Sequence, residues 1–307
     1  MAPVVDKKVK LSPLAFSGIA FVIIAALGFS SKGVLIKLAY ALDPRIDAIS
    51  VMAIRMLLAL PFFLVVALRI ARHRETAPLL RQDVLAILAL GFFGYYASSW
   101  LDFTGLKYIS ASLERLILYL YPSLVVVLSA WYYRRVITRR ERHALALGYV
   151  GIVLVFVVDL HFVGADVLKG GALVFVAALS YAVFLIASAH TIERVGAARF
   201  TAYSMSVATA LTLVHYLVQH GTQLAHFSAE FYAIGLAMAV FCTVIPAFLM
   251  NAGMQRIGAG MTSMLSSVGP VMTIGLAYFV LHEPIAPVQW VGTALIISGV
   301  WLLVRRQ

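Results

Sequence analysis

The sequence predicts an all-α integral membrane protein of ten transmembrane helices, arranged as two inverted repeats of five. Three observations carry that expectation: an apolar composition, a one-sided distribution of basic residues, and an internal repeat.

Of the 307 residues, 63% are hydrophobic and 12% are charged, with a mean hydropathy of +0.97. A soluble domain carries about a quarter charged residues, so most of this chain must face lipid or its own interior. Apolar runs of about 18 to 25 residues recur, each long enough for a hydrocarbon core of roughly 30 Å. They fall near 14–40, 46–70, 83–104, 107–132, 143–159, 168–190, 199–219, 229–252, 257–281 and 287–304. The opening "MAPVVDKKVKLSP" resembles the basic region of a signal peptide. The run after it is too long for a signal core and ends in no small-residue cleavage site, so it reads as an uncleaved first helix. The single cysteine, Cys242, allows no disulfide within the chain.

The chain holds 24 Lys and Arg against 13 Asp and Glu, a formal charge of +11. With the amino terminus in the cytoplasm and the spans alternating, seventeen basic residues fall on the inner side. Only Arg45, Lys107 and Lys169 fall on the outer side. That asymmetry is the positive-inside pattern, and it predicts two cytoplasmic termini. The surplus charge is therefore assigned to orientation and anionic-lipid contact rather than to nucleic acid.

The second half repeats the first. Shifted by 148 positions, "GLKYISASLERLILYLYP" from Gly105 falls on "GMQRIGAGMTSMLSSVGP" from Gly253, pairing Ile109 with Ile257 and Pro122 with Pro270. The same shift pairs Gly151 with Gly299, and a shift of 152 lays "AALGF" from Ala25 on "AALSY" from Ala177. Five helices per unit is an odd number, so the second unit enters from the opposite side. The expected organisation is a tail at 1–13, a first repeat at 14–160 and a second at 166–304. Inverted repeats are a signature of secondary transporters, whose substrate site lies near the midplane between the halves.

Charges inside the spans are the candidate site, since a fully embedded charge needs a partner or a wet cavity. With a rise of about 1.5 Å per residue, Lys32, Arg55, Asp102, Glu114 and Arg115 share one layer in the outer half. The second repeat has no such layer: Glu114 and Arg115 map to Thr262 and Ser263, and Asp102 maps to Met250. Glu114 and Arg115 stand about 100° apart on a helix, so each requires a different partner. Charge pairing between helices would explain these residues structurally. Alternatively, surplus positive charge holds a substrate carboxylate while Glu114 or Asp102 carries a coupling proton. Lys37, near the outer helix end, is expected to snorkel.

Tyr95, Tyr96, Tyr119, Tyr121 and Tyr181 are candidate pocket residues, because tyrosine offers a flat face and a hydroxyl. Trp100 and Tyr108 read as an interfacial belt. Pro61, Pro122, Pro246 and Pro270 sit within spans, where proline kinks helices and frees carbonyls; Pro122 and Pro270 are the expected repeat-matched kinks. The small residues in "GFFGYYASS" and "NAGMQRIGAGMTSM" permit close helix packing. His215, His220 and His226 lack metal-ligand spacing and are expected in an outer loop, so no metal is assigned.

"FSSKGVLIK", "IRMLLALPFFLV", "GLKYISASLERLILYLYPSLVVVLSAWYYRR" and "VGPVMTIGLAYFVLHEPIAPVQWVGTALIISGVWLLV" together resemble the EamA family of the drug/metabolite transporter (DMT) superfamily. The resemblance runs from about residue 14 to 304 as two repeats. Lys37 and Arg55 match the family's basic positions, and Pro122 and Glu283 its repeat-end motifs. "WYYRRVITRRE" departs from the family's usual glycine-glutamate-proline turn. The resemblance implies ten helices, termini inside, and an inner-membrane carrier exporting amino acids, related metabolites or xenobiotics.

The expected function is thus secondary-active or facilitative transport of a small molecule by alternating access, in a monomer or homodimer without cofactors. No GxxxxGK[ST] loop appears, so the chain carries no ATP-hydrolysing motif. Lipid flipping is the alternative within transport. A membrane-embedded enzyme is the alternative outside it, although neither HExxH nor GxSxG is present.

Overall fold

Hydrocarbon offers no hydrogen-bonding partner, so a lipid-facing segment must satisfy its own peptide groups, and a helix does so within one stretch of chain. The computed structural model describes residues 13–72, 78–132, 134, 136–163, 165–266 and 268–304, and among them every regular element is helical. The α-helices are α1 (Pro13–Leu42), α2 (Ala48–Arg72), α3 (Arg81–Leu90), α4 (Ser98–Gly105), α5 (Ala111–Leu118), α6 (Tyr121–Tyr132) and α7 (Arg139–Val163). They continue as α8 (Val167–Val195), α9 (Ala197–His220), α10 (Ala229–Ala239), α11 (Ile245–Ser266), α12 (Val268–Leu281) and α13 (Pro287–Val304). Two π-helical stretches, Gly91–Ala97 and Val240–Val244, join α3 to α4 and α10 to α11. Seven helical stretches among the described residues are long and apolar enough to cross a membrane, and Val268–Leu281 and Pro287–Leu302 are apolar but shorter. The chain is a multi-pass membrane protein.

Local sequence sets the helix ends. Asp47 precedes α2 and accepts the Ser50 amide and hydroxyl at 3.0 and 2.7 Å. Ser110 and Ser228 cap α5 and α10 by accepting the amides of Leu113 and Phe231. Thr138 and Glu141 bond reciprocally at the start of α7, side chain to amide in both directions. Gly196, with φ +89°, turns the chain between α8 and α9.

Three expectations change. The fourth run is not one helix: it breaks at Tyr119–Leu120 into α5 and α6, with Pro122 the second residue of α6. Proline is favoured in a first turn, where its missing N–H would be unpaired anyway, so Pro122 follows a break rather than kinking a continuous rod. Pro270 is likewise the third residue of α12. The gap expected between runs eight and nine is helical, as α11 extends through it to Ser266. Finally, His215 lies inside α9 and His220 ends it, while His226 is in a 3-10 turn. The basic segment 1–12 and Arg135 lie outside the described residues, as do the side chains of Thr262 and Ser263.

Two helix crossings position everything else. A Cβ built on Gly18 of α1 would lie 2.7 Å from Ile257 Cγ2, and one on Gly253 of α11 would lie 2.5 Å from Val22 Cγ2. The second crossing uses Gly170 of α8 and Gly105 of α4: their Cβ atoms would lie 2.7 Å from Ile109 Cγ2 and 2.5 Å from Val174 Cγ2. Gly18, Val22, Gly253 and Ile257 are, by the two sequence shifts, the counterparts of Gly170, Val174, Gly105 and Ile109. The same contact is thus made twice between halves. Among the described residues, the two non-glycine positions with positive φ, Arg134 (51°) and His282 (54°), are also counterparts under the 148-residue shift.

Candidate functional site

The charged layer is only partly one cluster. α1 presents Lys32, α4 presents Asp102, and α5 presents Glu114 in its first turn, where a carboxylate suits the helix dipole. Lys32 Nζ donates to Asp102 Oδ2 at 2.6 Å and lies 3.3 Å from Glu114 Oε1. The second contact is an ion pair without hydrogen-bond alignment, since Glu114 Oε1 makes no hydrogen bond. Asp102 and Glu114 are 3% and 1% exposed, so this is a buried triad of one ammonium and two carboxylates. Gly33 makes room for it: a Cβ there would stand 3.0 Å from Glu114 Oε2.

Arg55 sits beside the triad but is not paired within it. Its guanidinium carbon lies 4.9 Å from the centroid of the Phe103 ring, which also has Lys32 Nζ at 5.8 Å. Nη1 reaches Thr243 Oγ1 at 3.5 Å, a long contact. Thr243 belongs to the second π-helical stretch and donates to Met238 O at 3.0 Å. One residue earlier, Cys242 Sγ lies 3.3 Å from Ser31 Oγ. π-helical turns displace side chains from the usual helical rows and are frequent at functional sites.

Arg115 points elsewhere, as adjacency on a helix requires. Its Nη2 would be 2.6 Å from a Cβ on Gly269, whose carbonyl accepts from Ser30 Oγ at 3.1 Å. Three cations and two carboxylates therefore occupy the layer, leaving one positive charge in excess.

The tyrosines divide between two places. Tyr119, Tyr121 and Tyr181 form an edge-to-face series with centroids 6.4 and 5.6 Å apart, and Tyr181 continues to Phe184 and then Tyr95 at 5.6 and 5.0 Å. Phe184 is the counterpart of Lys32 under the 152-residue shift, so an aromatic ring in the second repeat stands where the first has the triad's ammonium. Tyr96 instead bonds His215 Nδ1 at 2.8 Å, with Trp100 5.8 Å from the same imidazole. Tyr108 packs on Lys169.

The N-terminal end of α5 is closed by a residue that sequence reasoning gave no site role. Glu283 accepts the Ala111 amide at 3.0 Å and the Ser112 hydroxyl at 3.3 Å, and lies 3.6 Å from Lys37 Nζ. Lys37 is thus ion-paired while its side chain stays partly exposed. Phe103, Thr243, Ser31 and Cys242 were also missed as site residues; the usable signals were the hydroxyl pair before Lys32 and the aromatic ring beside Asp102. At the opposite end, Asp83 accepts the Leu80 amide at 3.1 Å and the Arg194 Nε at 2.7 Å.

A multi-pass helical bundle with a buried polar site between interrupted helices defines a membrane protein of the transporter class. The EamA-like transporter family model matches residues 16–157 and 168–305, and the chain belongs to that family. The "Uncharacterized transporter YcbK" of Bacillus subtilis (strain 168) is 30% identical over 91% of this chain and 89% of its own. An "Uncharacterized transporter" of Archaeoglobus fulgidus is 26% identical over 63% of this chain and 67% of its own. A solved crystal structure with 17% identity covers 95% of this chain and 99% of its own at a TM-score of 0.65, a likeness of fold alone.

Proposed function

We propose that the chain is a secondary-active or facilitative carrier that exports a small organic metabolite by alternating access. An amino acid, a related compound or a xenobiotic is the substrate class. The buried Lys32–Asp102–Glu114 triad carries this reading. It is set between α1, a helix entered through a π-helical turn, and the short helix α5 that stops at Tyr119. A buried ion cluster contributes little to stability for what its desolvation costs, and interrupted helices are where carriers bind substrate and coupling ions. The doubled glycine crossing supports two halves, 14–160 and 166–304, related by a pseudo-two-fold axis in the membrane plane. The basic-residue asymmetry supports an inner-membrane location with both termini cytoplasmic.

The test is substrate flux in proteoliposomes, with and without an imposed pH gradient. Flux above protein-free vesicles is expected for at least one class among amino acids, organic acids and aromatic cations. Glu114→Gln is expected to lower that flux and flatten its response to the gradient. Absence of flux for every class sinks the carrier reading.

One observation favours lipid flipping as a second reading. A groove of about 290 Å³ lined by Pro61, Phe62, Val65, Val66 and Phe248 is wholly apolar and opens at the surface between α2 and α11. Labelled-lipid scrambling that depends on Phe62 and Phe248, without solute flux, would establish it in place of the first.

A further inference from the structure

Arg55 has more hydrogen-bonding capacity than its surroundings use. The residue is 6% exposed, and its Nε and Nη2 have no hydrogen-bond partner among the described residues. Nη1 is occupied, at long range, by Thr243. A buried donor without a partner is costly, and a buried guanidinium with two such donors more so. The free pair is not arbitrary. Nε and Nη2 lie on one edge of the planar guanidinium and point the same way, which is the fork that receives both oxygens of a carboxylate. Thr243 takes the other edge and the guanidinium carbon lies over the Phe103 ring, 4.9 Å from its centroid, so the free edge is the side these contacts leave.

The neighbouring carboxylates are oriented on Lys32. Asp102 Oδ2 and Glu114 Oε1 face its ammonium, and among the described residues neither Asp102 Oδ1 nor Glu114 Oε1 hydrogen-bonds the guanidinium. The layer as a whole carries one surplus positive charge, from Lys32, Arg55 and Arg115 against Asp102 and Glu114. A single carboxylate neutralises that surplus, whereas a zwitterion adds an ammonium and leaves the surplus in place.

We infer that Arg55 is the anion-binding residue of the transport site and that the substrate is an organic monocarboxylate, gripped side-on by Nε and Nη2. This rests on the carrier reading and narrows its substrate class from amino acids and related compounds to acids without an ammonium group.

The test is thermal unfolding of the purified full-length protein in detergent, at matched ionic strength, with acetate, lactate and benzoate as probes. Lactamide and benzamide serve as neutral isosteres, and alanine and phenylalanine as zwitterions. At least one monocarboxylate is expected to raise the unfolding temperature by several degrees over a chloride control, and the amides and zwitterions to raise it much less. Arg55→Lys keeps the charge but loses the fork, so it is expected to weaken apparent affinity by about tenfold or more. Thr243→Val, which frees Nη1 without touching the fork, is expected to weaken it by only a few-fold. The inference is overturned if no monocarboxylate stabilises the protein, if the zwitterions stabilise it equally, or if Arg55→Lys binds as well as the parent. Flux of a substrate lacking a carboxylate would overturn this inference and leave the carrier reading standing. Carboxylate binding that is lost in Arg55→Lys, without flux of any probe, would overturn the carrier reading and with it the substrate assignment, leaving only a carboxylate site at Arg55.

Discussion

Lys32 decides how the membrane interior tolerates two carboxylates. It is the cation that pairs with both Asp102 and Glu114, so removing it leaves two buried like charges. Lys32→Met is expected to destabilise the protein by about 3–5 kcal/mol, the usual cost of stripping one partner from a buried ion pair. Adding Asp102→Asn and Glu114→Gln to Lys32→Met should recover much of that loss in thermal unfolding. A triple variant no better than Lys32→Met would show that the charges are not coupled. Outside the membrane-spanning segments, Asp47 gives a pH handle. Burial alone would raise its carboxyl, but bonds from the Ser50 hydroxyl and amide and from His220 outweigh this and hold it below the ordinary range. Its contribution is therefore present above the unfolded carboxylate pKa and is lost as pH falls through the lowered folded value. Asp47→Asn should flatten the acid limb of unfolding temperature against pH and leave the neutral region nearly parallel. These contacts were half legible beforehand. Helical rise alone places Lys32, Asp102 and Glu114 at one depth, but which of the five charges touch depends on how each helix is rotated.

Among the elements, α5 shows what a short helix needs. Eight residues cannot sustain a helix unaided, so its ends must be held by other parts of the chain. Ser110 caps it locally, and Glu283, 172 residues beyond Ala111, binds its first amide. Glu283→Gln keeps the acceptor but drops the charge facing both Lys37 and the helix dipole. About 1 kcal/mol should be lost. The glycines give a second element-level prediction. Gly105→Ala would drive a methyl to 2.9 Å from the Gly170 carbonyl and to 2.5 Å from Val174, costing about 1–3 kcal/mol. Gly275→Ala meets nothing within 4 Å and should be neutral or stabilising by up to about 1 kcal/mol. Equal destabilisation of the two variants would refute the crossing as the cause. The break at Tyr119 and the π-helical turns were not legible, because an unbroken apolar run looks the same whether the helix through it is continuous or not.

At the scale of the whole molecule, the two halves meet through repeated glycine crossings while their interiors diverge. Lys32 and Asp102 in the first repeat correspond to Phe184 and Met250 in the second, so repeat-matched glycine crossings accompany an asymmetric site. Glu283 joins the halves at one end of the bundle and Asp83 with Arg194 joins them at the other. If the halves rock, the Glu283 tie must open in each cycle. A Ser112→Cys, Glu283→Cys pair should therefore abolish flux when oxidised and regain it on reduction, since the native Cys242 is buried and remote in sequence from both. Full flux through the oxidised pair would rule out opening at that end. The sequence by itself determined the helical class, the membrane, the repeat shifts and which charges lie within apolar runs, because hydropathy, charge and periodicity are one-dimensional consequences of the bilayer. Only the tertiary structure decided that Lys32 holds two carboxylates, that Arg115 turns away, and that Arg55 keeps a free fork. Those facts depend on helix rotation and close backbone approach, which are set by packing between segments far apart in the chain.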